Sequence, residues 1–221
     1  MSRHVLRGGS RAREFIAIAI TLLACESRRD VDTPLMLSHA RKGVVAIGRS
    51  HGSGASGDFE AFGSGVAVRA KDIVTAAHVV ERLTMPIVWV DGRHIPAHVR
   101  QLDHEHDLAW LTLDVDSCKF TVPLGDSARL RPGERLFSIG YSTGEAAVVT
   151  AGIFSGMYEP WSHDREDDAV LTDAAMAPGS SGGALVDQYG ALVGINDIAN
   201  VAFGIHRAVP VNRVKRMLAL H

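Results

Sequence analysis

Apolar and polar positions alternate along this chain in many short blocks. β-Branched and apolar runs at 44–47, 65–68, 73–75, 86–90, 98–100 and 108–113 fill the first half. Runs at 135–139, 147–150, 169–172, 184–186, 191–195 and 204–209 fill the second, and Gly, Pro and Asp separate them. Short strands at close, regular spacing predict a sandwich or barrels. Asp187-Gln188-Tyr189-Gly190 reads as a hairpin turn, with Gly190 able to take positive φ. Helical signal is scarce. Ala76 to Leu83 predicts about two turns, and Val211, Val214, Met217 and Leu218 share one face of a predicted C-terminal helix over 211–220 that packs on a barrel. The chain has no internal repeat and no low-complexity tract, and Ser162 to Asp168 reads as a solvated loop.

The N-terminal segment breaks this pattern. Arg3, Arg7, Arg11 and Arg13 precede the apolar run Phe15–Ala24, and a polar stretch follows from Glu26. A basic segment before a short apolar one reads as an export signal. Ten residues are too few for a spanning helix, which needs about 20. Leu22-Leu23-Ala24-Cys25 resembles a bacterial lipobox, in which the cysteine becomes the lipidated first residue of the mature chain. The expected organisation is a lipoprotein-type signal at 1–24, a polar tether at 25–39 and a globular body at 40–221.

Composition narrows the partners. The 221 residues carry 23 Lys+Arg against 25 Asp+Glu, a net charge of −2. That lacks the basic surplus phosphate binding needs, so no nucleic-acid partner is expected. A hydrophobic share of 46% suits an ordinary globular core. If Cys25 is acylated, Cys118 has no intramolecular partner and reads as a surface or half-buried thiol without a role.

Three separated motifs carry candidate chemistry. Pro178-Gly179-Ser180-Ser181-Gly182-Gly183 sets a serine among glycines that allow a tight turn, with successive N–H groups aimed at one spot. A serine hydroxyl needs a neighbouring base, and His78 in Thr75-Ala76-Ala77-His78-Val79 offers one. Asp107, at the mouth of the run Leu108–Leu113, offers a carboxylate to orient the imidazole. Asp103 and Glu105 lie close by but lack the Leu-Ala strand start. His94, His98, His104 and His106 are clustered without Cys or Glu-x-x-His, so they read as structural, and neither metal nor cofactor is expected. The order His, Asp, Ser matches the chymotrypsin-type triad.

On these motifs the chain resembles the protease domain of the HtrA/Deg-type trypsin-like serine proteases. Gly63-Ser64-Gly65, Gly125-Asp126-Ser127, Val149 to Ile153, Thr172 to Ala175, Val193 to Asn196 and Ala208 to Val211 extend the likeness over about residues 40–218. The resemblance implies an all-β fold of two packed six-stranded antiparallel barrels, at about 40–125 and 132–210, with a C-terminal helix. It also implies His78, Asp107 and Ser181 as the triad, and Gly179 and Ser181 as oxyanion donors. Ala175 would form the floor of a primary pocket that prefers small or medium apolar side chains.

Several positions depart from the family. No PDZ domain is expected after the helix ending near 220, and Ser180 stands where digestive relatives carry an aspartate. The loop from Asp197 to Phe203 is short, and His206 and Arg207 replace small and aromatic residues near the expected substrate edge, facing either substrate or solvent. The expected activity is that of a serine endopeptidase on protein or peptide substrates. It would be exported to the periplasm or cell surface and held at a membrane through Cys25. A catalytically idle protease-fold lipoprotein acting as a binding module, or an esterase-like acyl hydrolase, are the alternatives.

Overall fold

The computed structural model describes residues 32–51, 58–142, 146–158, 168–202 and 204–219. The first half forms β1 (Val44–His51), β2 (Asp58–Ala67), β3 (Asp72–Thr75), β4 (Ile87–Val90), β5 (Arg93–Asp103) and β6 (Leu108–Leu113). The second forms β7 (Arg135–Gly140), β8 (Val148–Tyr158), β9 (Ala169–Thr172), β10 (Ala184–Asp187), β11 (Leu192–Ala202) and β12 (Ile205–Pro210). Each set closes into an antiparallel barrel, in the orders β1-β2-β3-β6-β5-β4 and β10-β11-β12-β9-β8-β7. Read from β7, the second order repeats the first, a duplication with no trace in the residues themselves.

Period-2 alternation explains why the runs are apolar throughout instead of half polar. Along β6, Ala109, Leu111 and Leu113 point into the first barrel, while Leu108 and Trp110 point out into a cluster shared with the second. Along β10, Leu185 points into the second barrel, while Ala184 and Val186 join the shared cluster. Strands covered on both faces have no water-facing side to mark with polar residues. The largest apolar cluster is therefore the seam between the barrels, where Val66, Leu108, Ile139, Leu192 and Ile195 meet.

Among the described residues, three α-helices frame the barrels: α1 (Thr33–Lys42), α2 (Ala77–Val80) and α3 (Val211–Ala219). α3 lays Val211, Val214, Met217 and Leu218 on the seam, as its spacing predicts. α2 is one turn, shorter than the two expected. α1 corrects the expectation of a polar tether reaching 39, because Ala40 is buried and Met36 and Leu37 pack against the seam. The expected turn at 187–190 is present, with Gly190 at φ +83° and Asp187 Oδ1 accepting from Tyr189 N and Ala191 N.

Two further expectations are corrected and one open alternative is narrowed. Cys118 is 5% exposed within the first barrel's core, and burial pushes its thiol up to about 11. β11 continues through Ala202 and pairs with β12 there, so 197–202 is strand and not a loop, and Phe203 lies outside the described residues. His206 is buried, and Arg207 is half-buried over the Tyr158 ring, so neither lies free in solvent. The segment at 1–31, with Cys25, and residues 162–167 of the expected charged loop lie outside the described residues.

The seam makes a stability prediction. Leu108 and Leu192 are both essentially inaccessible within it. Leu108→Ala and Leu192→Ala should each cost about 2–5 kcal/mol by urea denaturation, through lost transfer energy plus a cavity.

Candidate active site

His78 and Asp107 are brought together by backbone as well as side chain. Ala77 N donates to Asp107 O at 3.1 Å, and His78 N donates to Asp107 Oδ1 at 2.9 Å. The second carboxylate oxygen faces His78 Nδ1 at 2.7 Å. The first turn of α2 is thus docked on one aspartate. Asp107 holds φ +51°, a left-handed conformation that Asp tolerates better than most residues. A carboxylate only accepts, so neutral His78 carries its proton on Nδ1 and leaves Nε2 as a bare acceptor.

Neighbouring acids are committed elsewhere. Asp103 Oδ1 accepts from His106 N at 3.1 Å and Oδ2 faces His106 Nδ1 at 2.8 Å, the geometry of Asp107 and His78 over again. Burial works against the Asp103 carboxylate, but its hydrogen bonds from His106 outweigh that and hold it below the ordinary value. Glu105 is exposed. The other histidines are dispersed: His98 faces Asp114 at 3.2 Å, His104 faces Glu81 at 3.6 Å, and His94 stacks on Phe59.

The Ser181 turn comes from the other barrel. Gly179 has φ +93°, where a Cβ would sit 2.5 Å from Tyr141 O. Gly182 has φ +79°, where a Cβ would run into Thr75 Oγ1 and Ser64 O. Both positions demand glycine. Ser180 is turned inward: its N–H and hydroxyl both reach Ala177 O, at 2.9 and 2.8 Å. Gly182 N donates to Asn196 O at 2.8 Å. Among the described residues, the amides of Gly179 and Ser181 donate to no group.

The two halves meet over Gly63 of β2. A Cβ there would lie 2.7 Å from Val79, the residue after His78, and 2.9 Å from Ser181 O. Ser64 N donates to that same carbonyl at 2.8 Å. Ser181 is 6% exposed, and its hydroxyl forms no hydrogen bond with a described group, His78 included. Ala175 is exposed six residues before Ser181, and its carbonyl accepts from Thr150 Oγ1 at 2.6 Å. Next to it, Met176 N lies 3.5 Å from Nε2 of the buried His206.

One charged group was not read as part of the site from the residues. A cavity of about 110 Å³ behind Asp107 is lined by His106, Asp168, Asp197, Arg207 and Arg213 among others. Arg213 Nε donates to Asp168 Oδ1 at 2.7 Å. Asp197 is buried on β11, and no local motif distinguishes it from a turn residue. His78 is held above 6.5, chiefly by its hydrogen bond to Asp107, with burial opposing and the charges of Asp107, Asp197 and Glu81 adding to the rise.

Two closed six-stranded barrels with a His–Asp pair and a glycine-flanked serine turn at their seam define the chymotrypsin-like class. A family model described as a trypsin-like peptidase domain matches residues 63–195, and the chain belongs to that family. The "probable serine protease do-like" of Buchnera aphidicola is 35% identical over 73% of this chain and 35% of its own length. The mitochondrial serine protease HTRA2 of Drosophila virilis is 35% identical over 71% of this chain and 38% of its own. The chain thus spans somewhat over a third of the length of these curated relatives. A solved structure of the HtrA-type protease AlgW with a decapeptide superposes with a TM-score of 0.72 at 30% identity. It covers 86% of this chain and 68% of its own.

The raised His78 pKa has a definite sign. The fold binds that proton more tightly than the unfolded chain, so the added stability is fully present below pH 6.5 and is lost as pH rises through the folded value. An NMR titration should place the His78 ring above 6.5, and Asp107→Asn should move it down.

Proposed function

We propose that this chain is a serine endopeptidase in which Ser181 is the nucleophile, His78 the general base and Asp107 the acid that orients it. One observation carries the reading: His78 spends Nδ1 on Asp107 at 2.7 Å, which leaves Nε2 to take a proton, and the helix bearing it meets the Ser181 turn over Gly63. The open contact between Ser181 and His78 is compatible with it, because such hydrogen bonds often tighten only when substrate binds. Ser180 is a poor competitor, its hydroxyl being spent on Ala177 O.

In the proposed reaction, Ser181 Oγ attacks a peptide carbonyl as His78 Nε2 takes its proton. Asp107 steadies the imidazolium, and the N–H groups of Gly179 and Ser181 receive the oxyanion. His78 then protonates the leaving amine, and the acyl-enzyme is hydrolysed by water activated in the same way. Asp197 adds a second negative charge that favours the imidazolium. Ala175 offers no counter-ion for Lys or Arg, which supports a preference for small or medium apolar side chains before the cut. The proposal includes export, with Cys25 as the site of a lipid tether, and rests there on the basic segment and apolar run at 3–24.

A casein digest tests this reading. Ser181→Ala should lower turnover on the order of 10⁶-fold and abolish labelling by a fluorophosphonate. Wild-type hydrolysis by Ser181→Ala would refute it. In the active chain, kcat/KM should fall on acidification with an apparent pKa above 6.5, because only neutral His78 accepts the proton.

A further inference from the structure

Ser64 is a polar side chain in the wrong place. It belongs to the face of β2 that also carries Val66 into the apolar seam, and it is 0% exposed. A hydroxyl buried there costs free energy unless its hydrogen bonds are made. They are made to the second barrel: Oγ donates to Gly179 O at 2.7 Å and accepts from Tyr141 N at 2.8 Å. Its backbone is equally committed. Ser64 N donates to Ser181 O at 2.8 Å, and Ser64 O accepts from Thr75 Oγ1 at 2.6 Å. Thr75 closes β3 and leads into the helix that holds His78.

We propose that Ser64 is a positioning residue that sets the oxyanion-binding amides against the base. The inference rests on the reading of 179–181 as the oxyanion turn. The Gly179 carbonyl and the Ser180 N–H belong to one peptide plane. Ser64 Oγ holds the carbonyl end and Ala177 O accepts from the N–H end at 2.9 Å. Ser64 N then fixes the Ser181 carbonyl, while Gly183 N donates to the Ser180 carbonyl between them at 3.0 Å. The Ser181 N–H lies in the plane between these two and the Gly179 N–H in the plane before the first, so clamping the neighbouring planes keeps both amides unspent and aimed together. Tyr141 N, on the same hydroxyl, holds in place the Tyr141 carbonyl against which Gly179 packs. One serine thus ties the strand next to His78's helix to both ends of the turn that carries the nucleophile.

Removing the hydroxyl leaves Gly179 O and Tyr141 N unpaired in a dry seam, and the turn relaxes. Ser64→Ala should lower kcat on peptide substrates about 10–100-fold while KM changes less than about twofold. A peptidyl boronate, which needs the oxyanion donors, should lose affinity by the same factor as kcat. The acid limb of the pH profile should not move, since His78 and Asp107 are untouched. Ser64→Thr keeps the hydroxyl and should recover most of kcat, which covers the case of an Ala variant that folds poorly. A wild-type kcat in Ser64→Ala, a loss carried by KM alone, or a Thr variant as impaired as Ala would overturn the proposal. Ser181→Ala, assayed alongside, separates the two levels: an inactive Ser181→Ala with a fully active Ser64→Ala refutes only the role of Ser64. An active Ser181→Ala refutes the nucleophile assignment beneath both.

Discussion

Closed barrels have no strand edge to offer each other, so the two barrels of this protein meet chiefly by side-chain packing, with the connecting segment at 122–125 hydrogen-bonded to Ala67 of one and Leu192 of the other. That constraint governs the site. The apolar seam fixes the separation of the barrels to within the tolerance of close packing. Within it, Ser64 and Gly63 mark where the helix of His78 and the turn of Ser181 approach.

Charge is arranged around the seam with the same economy. Asp107 is satisfied by three donors from the chain at 77–78 if its backbone carbonyl is counted with its carboxylate. Behind it lie Asp197, Asp168 and the buried guanidinium of Arg213, which offset one another across a small polar cavity. Paired charges of this kind are costly to bury singly and tolerable only together. Their shared effect on the site is one of sign: acids on both sides of His78 favour its protonated form.

Much of this was legible because chemistry and turn geometry leave local marks. Glycines at 179 and 182 are required by positive φ and by close backbone approach, and both needs appear as residue type. The strands were legible as runs, and α3 as a face. α1 was not, since Met36, Leu37 and Ala40 are too few apolar positions among polar neighbours to outweigh the look of a tether. Cys118 was misjudged and the placing of His206 left open because burial belongs to whatever packs above a residue, and neither has a local motif that says so.

The residues alone decided that there would be twelve short strands, a glycine-flanked serine, and a histidine and an aspartate each at the mouth of an element. They could not decide which face of a strand such as Leu108–Leu113 looks into a barrel and which into the seam, because both faces are apolar. They singled out Asp107 over Asp103 by its Leu-Ala strand start, but they could not say how it would be held against His78. Tertiary structure supplied that through a left-handed backbone at 107 and the docking of 77–78 upon it. It also turned Ser64 from one member of a glycine-rich triplet into the link across the seam, because hydrogen bonds between residues more than a hundred positions apart exist only once the barrels have met.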